Sequence, residues 1–377
     1  MDRVEFKSYE VLGKLPNPFL FDDGSQVKTA EDWQKRRKEI YKTAVELQYG
    51  EIPPEPEFIE ASPLRDTYYS PCDYLIKTGR KENPVVFNMQ LFRPEGQGEK
   101  YPVVVCGDLG FKYTYDKEFI SAFVDNGIAL AIFDRSMLAP DRNSAGKDGQ
   151  LYKTYSDYTF GAVAAWAWGF SRCVDVLENI SFIDSSMIAF TGHSRGGKAA
   201  MLAGVLDERA AIVAPNGSGC AGCGCFRIHA NGIRTDGKEE RNETLKDMSG
   251  WIHFWLNEDV FKYKDCEEKL PFDQHYLKAL VAPRVLLMTE AEDDLWANPL
   301  GMVQTSIAAR EVYKFLGAED KILWSFRKGI HYHKIEDLNT LVGVIKHIKD
   351  GADLPDNMFN APYDIPKPIY DWQCPER

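Results

Sequence analysis

Residues 186–206, SMIAFTGHSRGGKAAMLAGVL, decide the fold class. An apolar run typical of a buried strand passes directly into a helix-like sequence, and the junction reads GHSRG at residues 192–196. A G-x-S-x-G turn between a strand and a helix forces its serine into a strained backbone, and the small flanking residues let the strand and the helix pass close together. This context predicts that Ser194 projects above the edge of a sheet as a nucleophile.

Apolar runs of strand length continue along the chain and alternate with helical patterns. The runs are PVVFNMQLF, YPVVVCGD, GIALAIFD, SMIAFTGHS, AAIVAPNG, PRVLLMTE and KILWSFRKG. Such runs are typical of buried parallel strands, and the helical stretches between them make βαβ units. We therefore predict an α/β-hydrolase fold, with a mostly parallel central sheet and helices on both faces.

The chain is long enough for one core with appendages. We expect residues 84–350 to form the catalytic domain, residues 1–83 a helical extension packed on it, and residues 351–377 a C-terminal tail. In the extension Thr29 could cap a helix that places Trp33 and Ile40 on one face.

The composition excludes several partners. A formal charge of -12 opposes nucleic acid and anionic membrane surfaces, because binders of either usually carry a basic patch. The first residues contain no apolar segment typical of a secretory signal, and no run is long enough to span a membrane. We expect a soluble protein, favour the cytoplasm, and leave open a leader removed from the chain.

Eight cysteines spread over 377 residues favour reduced thiols over a disulfide framework. Three of them, Cys220, Cys223 and Cys225, lie close together, but no second pair follows to complete a structural zinc site. We expect a tight turn of small residues there and no bound metal.

A second interpretation of the nucleophile segment is a phosphate-binding loop. Residues 192–198 also spell G-x-x-x-x-G-K, but Ala199 stands where a hydroxyl would hold a magnesium ion. Nucleotide binding is therefore the weaker hypothesis.

A serine nucleophile needs a base and an acid. In this fold the three residues come along the chain in the order serine, acid, histidine. The segment KGIHYHKIED follows the last predicted strand, and His331 at the start of that loop is favoured over His333. The preceding strand ends in several carboxylates that could orient the base. They are Glu290, Glu292, Asp293 and Asp294, and run length alone does not choose among them.

Four motifs in one order resemble a known family. They are FGAVAAWAWGFSRCVDVLE, TGHSRGGKAAMLAGVLDERAAIVAPNGSG, LPFDQHYLKALVAPRVLL and DLWANPLG. Together they resemble the glucuronoyl esterases of carbohydrate esterase family fifteen and their bacterial relatives often labelled acetylxylan esterases. The likeness runs from about residue 84 to 350.

The resemblance implies a role for individual residues. The family's GxSRxGK motif implies Ser194 as nucleophile, Arg195 as the oxyanion-stabilising residue, and Lys198 as a contact to sugar hydroxyls. An HWF-like segment implies Trp255 as a wall of the sugar pocket, and the G-x-H pattern supports His331.

The acid comes from a different pattern. The DxWAxP motif singles out Asp294 over Asp293, whereas the family's usual glutamate in PxESG is absent, because this chain has PNGSG at residues 215–219. We therefore expect a serine esterase for glucuronoyl esters or acetylated xylan fragments, working through an acyl-enzyme without a cofactor. Its partner would be a small carbohydrate ester, and a second oxyanion donor is expected around Leu109. A catalytically silent binding protein of the same fold is the alternative.

Overall fold

A computed structural model describes residues 3–64, 71–96 and 100–376. The strands are β1 (Glu5–Val11), β2 (Phe58–Pro63), β3 (Cys72–Arg80), β4 (Asn83–Phe92), β5 (Tyr101–Cys106), β6 (Ala129–Phe133), β7 (Ile183–His193), β8 (Ala210–Asn216), β9 (Ile228–Ile233), β10 (Glu239–Arg241), β11 (Val285–Ala291) and β12 (Ile322–Arg327). The helices are α1 (Ala30–Ile40), α2 (Leu47–Tyr49), α3 (Lys117–Val124), α4 (Gln150–Thr154), α5 (Ala162–Leu177), α6 (Arg195–Leu206), α7 (Leu245–Trp251), α8 (Gln274–Val281), α9 (Pro299–Phe315) and α10 (Ile335–Asp350).

The central sheet has nine strands in the order β12-β11-β8-β7-β5-β6-β4-β3-β2. The six strands from β12 to β6 run parallel, and β4, β3 and β2 continue the sheet in antiparallel pairings. All seven apolar runs of the sequence lie in this sheet, six of them in its parallel strands, whereas PVVFNMQLF forms the antiparallel strand β4. The predicted α/β-hydrolase fold is confirmed.

The N-terminal segment contributes more than the expected helix. Thr29 caps α1 in a reciprocal capping box with Asp32, and Trp33 and Ile40 are fully buried. However, β2 and β3 extend the central sheet, and β1 pairs with β9 in a separate three-stranded sheet. The boundary expected after residue 83 therefore falls at the hairpin between β3 and β4, within one continuous sheet.

Two buried apolar clusters cover the two faces of the central sheet. The larger one includes most of α5, whose Trp166 is fully buried and donates its indole N–H to the carbonyl of Ala139 at 2.8 Å. The smaller one packs α3 and α10 on the other face. In the part of the chain that the structure describes, every helix is too short or too polar to cross a bilayer.

The parallel strands bring distant segments to one edge. β7 ends at the nucleophile turn, β11 ends just before Asp294, and β12 ends just before the loop of His331. Because the carboxyl ends of parallel strands share an edge, residues 137 positions apart meet there.

Candidate active site

The turn after β7 holds Ser194 in a conformation that few residues adopt. Its φ is 56° and its ψ is -118°, a positive-φ conformation that is strained for a non-glycine residue. The turn tolerates no side chain at its flanks. A Cβ at Gly192 would lie 2.5 Å from the carbonyl oxygen of Gly196, and one at Gly196 would collide with the carboxylate of Asp108.

Ser194, His331 and Asp294 form one hydrogen-bonded chain. The Ser194 hydroxyl lies 2.8 Å from Nε2 of His331, and Nδ1 of His331 lies 2.6 Å from Oδ2 of Asp294. Asp294 is 2% exposed, and its other oxygen accepts the backbone N–H of Ala297 at 3.2 Å. This arrangement lets the imidazole take the serine proton while a buried carboxylate stabilises the imidazolium.

The neighbouring candidates have other partners. Asp293 accepts the backbone N–H of Thr235 at 2.6 Å and its hydroxyl at 2.7 Å, so it anchors the turn after β9. His333 is buried against the ring of Tyr113, and burial lowers its pKa to about 3. Glu290 is fully buried, and desolvation raises its pKa well above the ordinary value. The geometry therefore separates Asp294 and His331 from their neighbours.

Arg195 lies at the mouth of the pocket, directly after the nucleophile. Its guanidinium donates to Oδ2 of Asp141 at 3.0 Å and lies 4.8 Å from the ring centre of Trp255. Around Leu109, where a second oxyanion donor is expected, the N–H of Leu109 itself is already engaged. The N–H of Leu109 donates to the carbonyl of Phe133 at 3.1 Å, because the loop after β5 begins beside the end of the neighbouring strand β6.

A small pocket opens beside the serine. Its lining includes Arg195, Lys198, Gly217, Glu243, Trp251, Trp255, Trp296 and His331. At its floor the ammonium of Lys198 donates to the carbonyl of Ser218 at 2.7 Å and to Glu243 at 3.1 Å. Lys198 and Glu243 are both at least 95% buried, so they present a desolvated donor and acceptor to a ligand.

Comparison with known proteins identifies the family. A family model described as "Glucuronyl esterase, fungi" matches residues 76–317, which is more than half of the chain. The 4-O-methyl-glucuronoyl methylesterase 1 of Wolfiporia cocos is 30% identical over 320 residues, covering 81% of this chain and 73% of the relative. The chain belongs to the glucuronoyl esterase family.

Two further relatives support the assignment to this family. The 4-O-methyl-glucuronoyl methylesterase of Schizophyllum commune is 31% identical over 312 residues, covering 81% of this chain and 74% of the relative. The solved family 15 glucuronoyl esterase from Caldicellulosiruptor kristjansonii superposes with a TM-score of 0.85 at 30% identity, covering 96% of this chain and 97% of that one. The family resemblance predicted from the motifs is confirmed, and the protein is a carboxylic ester hydrolase.

The PNGSG segment at residues 215–219, where the family resemblance implies a glutamate in other members, lies beside the hydrogen-bonded chain. Gly217, in the PNGSG segment, has a φ of 49° and faces the triad. A Cβ there would lie 3.3 Å from Oδ2 of Asp294 and 3.5 Å from the His331 ring. The loop that lacks the glutamate therefore borders directly on the carboxylate that bonds the histidine.

A third histidine lies against the triad. The ring of His193 is centred 4.5 Å from the ring of His331, and its Nδ1 bonds Oδ1 of Asn216 at 2.6 Å. Burial lowers the pKa of His193 well below its ordinary value, which favours the neutral form of the ring beside His331. The Asn216 amide in turn donates to Thr289 on β11, which ties the nucleophile turn to the strand that precedes the acid.

Sequence reasoning missed several lining residues. Glu243 carries no local signal, because it simply precedes the Thr244 cap of α7. Trp296 lies inside the quoted DLWANPLG motif, and Trp251 begins the segment from which only Trp255 was chosen. Trp255 does line the pocket, but it is 2% exposed and its indole N–H is bonded to Asp141, whereas Trp251 is 53% exposed at the rim.

The cysteine-rich loop packs behind this site. Cys220, Cys223 and Cys225 are buried free thiols, and burial raises the pKa of each. Within residues 3–64, 71–96 and 100–376 the structure forms no group of three metal-ligating side chains.

Proposed function

We propose that this enzyme hydrolyses esters formed through the carboxyl group of a glucuronic acid residue. The names of the relatives supply the substrate class, since both curated proteins are 4-O-methyl-glucuronoyl methylesterases. The observation that carries the proposal is the hydrogen-bonded chain of Ser194, His331 and Asp294 at the mouth of a pocket with a buried Lys198–Glu243 pair.

The triad performs acyl transfer in two halves. The Ser194 oxygen attacks the ester carbon as its proton passes to Nε2 of His331, and Asp294 stabilises the imidazolium through Nδ1. The tetrahedral intermediate collapses when His331 returns the proton to the leaving alcohol, which leaves an acyl group on Ser194. A water molecule, deprotonated by the same imidazole, then attacks the acyl carbon. The second tetrahedral intermediate collapses as His331 returns that proton to the Ser194 oxygen, which releases the free acid and regenerates the triad.

Arg195 stabilises the negative oxygen of each tetrahedral intermediate. Its backbone N–H begins α6 directly after the nucleophile, and its guanidinium lines the pocket. A fixed positive charge in a partly desolvated pocket stabilises a developing oxyanion far more than it would in water.

The pocket floor favours a sugar on the acyl side of the ester. In a uronic acid ester the ring hydroxyls are attached close to the reacting carbon, within reach of groups beside the nucleophile. Lys198 lies one helical turn beyond Ser194, where its backbone N–H bonds the Ser194 carbonyl at 3.0 Å. The Lys198–Glu243 pair can donate to one ring hydroxyl and accept from another. An acetyl ester offers no hydroxyl on its acyl side, which makes acetylated xylan the second candidate.

The partner is therefore a small carbohydrate ester. The acidic surface of the enzyme disfavours polyanions. The cytoplasmic location stays a prediction from the sequence.

The test is hydrolysis of a methyl glucuronoyl ester by wild-type protein and by Ser194→Ala. Loss of a triad nucleophile costs about 10⁶-fold in kcat where it has been dissected, so the variant should lose all measurable activity while keeping its melting temperature. Ser186→Ala, an exposed serine on the same strand, is the matched control and should keep full activity. A folded Ser194→Ala enzyme with a tenth of wild-type turnover would refute the serine mechanism.

A further inference from the structure

Four charged side chains form an alternating series from the interior to the active site. Asp108, after β5, accepts a hydrogen bond from Arg135, and both are 1% exposed. A second guanidinium nitrogen of Arg135 lies 3.7 Å from Oδ2 of Asp141, the same oxygen that Arg195 bonds at 3.0 Å. Exposure rises along the series to 12% for Asp141 and 31% for Arg195. The series is neutral in sum, and only its last member borders the substrate pocket.

Asp141 uses both carboxylate oxygens at this site. Oδ2 accepts from the Arg195 guanidinium, and Oδ1 accepts the indole N–H of Trp255 at 3.0 Å. Trp255 in turn offers its ring to the same guanidinium at 4.8 Å. The Asp141 carboxylate thus holds the edge of the Arg195 guanidinium, and the Trp255 ring lies against its face. Asp141 contributes to both contacts, because it also hydrogen-bonds Trp255.

The Arg195 guanidinium has one hydrogen-bond acceptor among the residues that the structure describes, which is Asp141. Among the described residues no other acceptor bonds this guanidinium, so its other N–H groups are available to the pocket that the residue lines. An unsupported arginine side chain samples many rotamers, and it would lose that conformational entropy on reaching a transient oxyanion. Support from Asp141 and Trp255 removes that loss before the substrate binds.

We propose that Asp141 is a positioning residue that fixes the Arg195 guanidinium for the developing oxyanion. The proposal rests on the oxyanion role of Arg195 in the proposed function. Arg135 supports the same arrangement, because its charge lies between those of Asp108 and Asp141 and offsets the carboxylate charge that would otherwise oppose the oxyanion.

The experiment is a double-mutant cycle on kcat and KM with a methyl glucuronoyl ester. Arg195→Ala removes an oxyanion donor and should lower kcat by about 100- to 1000-fold. Asp141→Ala leaves Arg195 present with the Trp255 ring but without its carboxylate partner, and we expect kcat to fall by about 10- to 100-fold, a part of that loss, with KM within about twofold. The double variant should be no slower than Arg195→Ala alone, since Asp141 acts only through the arginine.

Two further variants make the result decisive. Asp141→Asn keeps the side-chain shape and replaces Asp141→Ala in the cycle if the alanine variant has a lowered melting temperature. Asp148→Ala removes an exposed ion-paired aspartate a few residues along the chain, without contact to Arg195, and should match wild type.

The outcomes separate this proposal from the esterase proposal. Equal losses from the Asp141 substitution in the wild-type and Arg195→Ala backgrounds would show an independent structural role and overturn it. An unchanged kcat in Asp141→Ala, or in Arg195→Ala itself, would overturn it as well. In each of those cases Ser194→Ala would still abolish hydrolysis, so the triad would stand.

Discussion

Replacing Asp294 by asparagine tests the acid of the triad, and the structure determines which way the new amide group must face. The backbone N–H of Ala297 donates to Oδ1 of Asp294, so an asparagine there must keep its carbonyl oxygen at that position. Its amide NH₂ then faces Nδ1 of His331, where Oδ2 now accepts at 2.6 Å. The imidazole can accept a hydrogen bond from this amide only if its own proton moves to Nε2, and that tautomer cannot accept the proton of Ser194.

The expected loss is large. The equivalent aspartate-to-asparagine change in a serine protease lowers kcat by about 10⁴-fold through the same wrong tautomer, which corresponds to about 5.5 kcal/mol of transition-state stabilisation. The assay is kcat on a methyl glucuronoyl ester at neutral pH. Because the substitution is isosteric and buried, the melting temperature should report a folded protein.

Asp293→Asn is the matched control. It replaces one of the two oxygens that accept from Thr235 by an amide NH₂, so it should lower stability modestly and leave kcat within a few fold of wild type. The reasoning fails if Asp293→Asn is the slower enzyme, or if Asp294→Asn keeps a tenth of the wild-type kcat.

Two other predictions address the substrate and the pH dependence of stability. Lys198→Ala should lower kcat/KM on a glucuronoyl ester by roughly 10- to 150-fold, the value of a charge-assisted hydrogen bond of 1.5 to 3 kcal/mol, and leave hydrolysis of an aryl acetate nearly unchanged; equal losses on both esters would contradict a sugar contact. Burial raises the pKa of Glu267 from 4.5 to about 7, so the native state binds this proton more tightly, and its contribution to stability is full below pH 4.5 and lost as the pH rises through 7. Glu267→Gln should therefore be more stable than wild type at pH 8, by about 1 to 3 kcal/mol in urea unfolding, with a smaller difference at pH 5; a variant less stable than wild type at pH 8 would refute this.

Local patterns were sufficient to predict the fold and to single out Ser194 as the proposed nucleophile. Apolar runs of strand length and a G-x-S-x-G turn depend on a few consecutive residues, so they predicted the parallel strands and Ser194 directly. The fixed order of the triad along the chain also led to His331. The residues alone left four carboxylates open, and the family resemblance singled out Asp294.

Contacts between distant loops required the tertiary structure. Asp293 and Asp294 are adjacent in sequence, and only the turn at Thr235 shows which of them is already bonded. The Leu109 N–H is taken up by the carbonyl of Phe133 because the loop meets β6, and the antiparallel strands β2 and β3 became part of the sheet through pairing that no local period predicts.

The pocket shows most clearly that contacts between distant segments could not be predicted from the sequence. Glu243 meets Lys198, and Asp141 meets Arg195 and Trp255, across separations of 45, 54 and 114 residues. The amino-acid sequence by itself determined the strands, the strained turn and the chemical types available, because these follow from neighbouring residues. Which donor meets which acceptor was decided by the packing of loops at the carboxyl edge of the sheet, where chain separation has no bearing on distance.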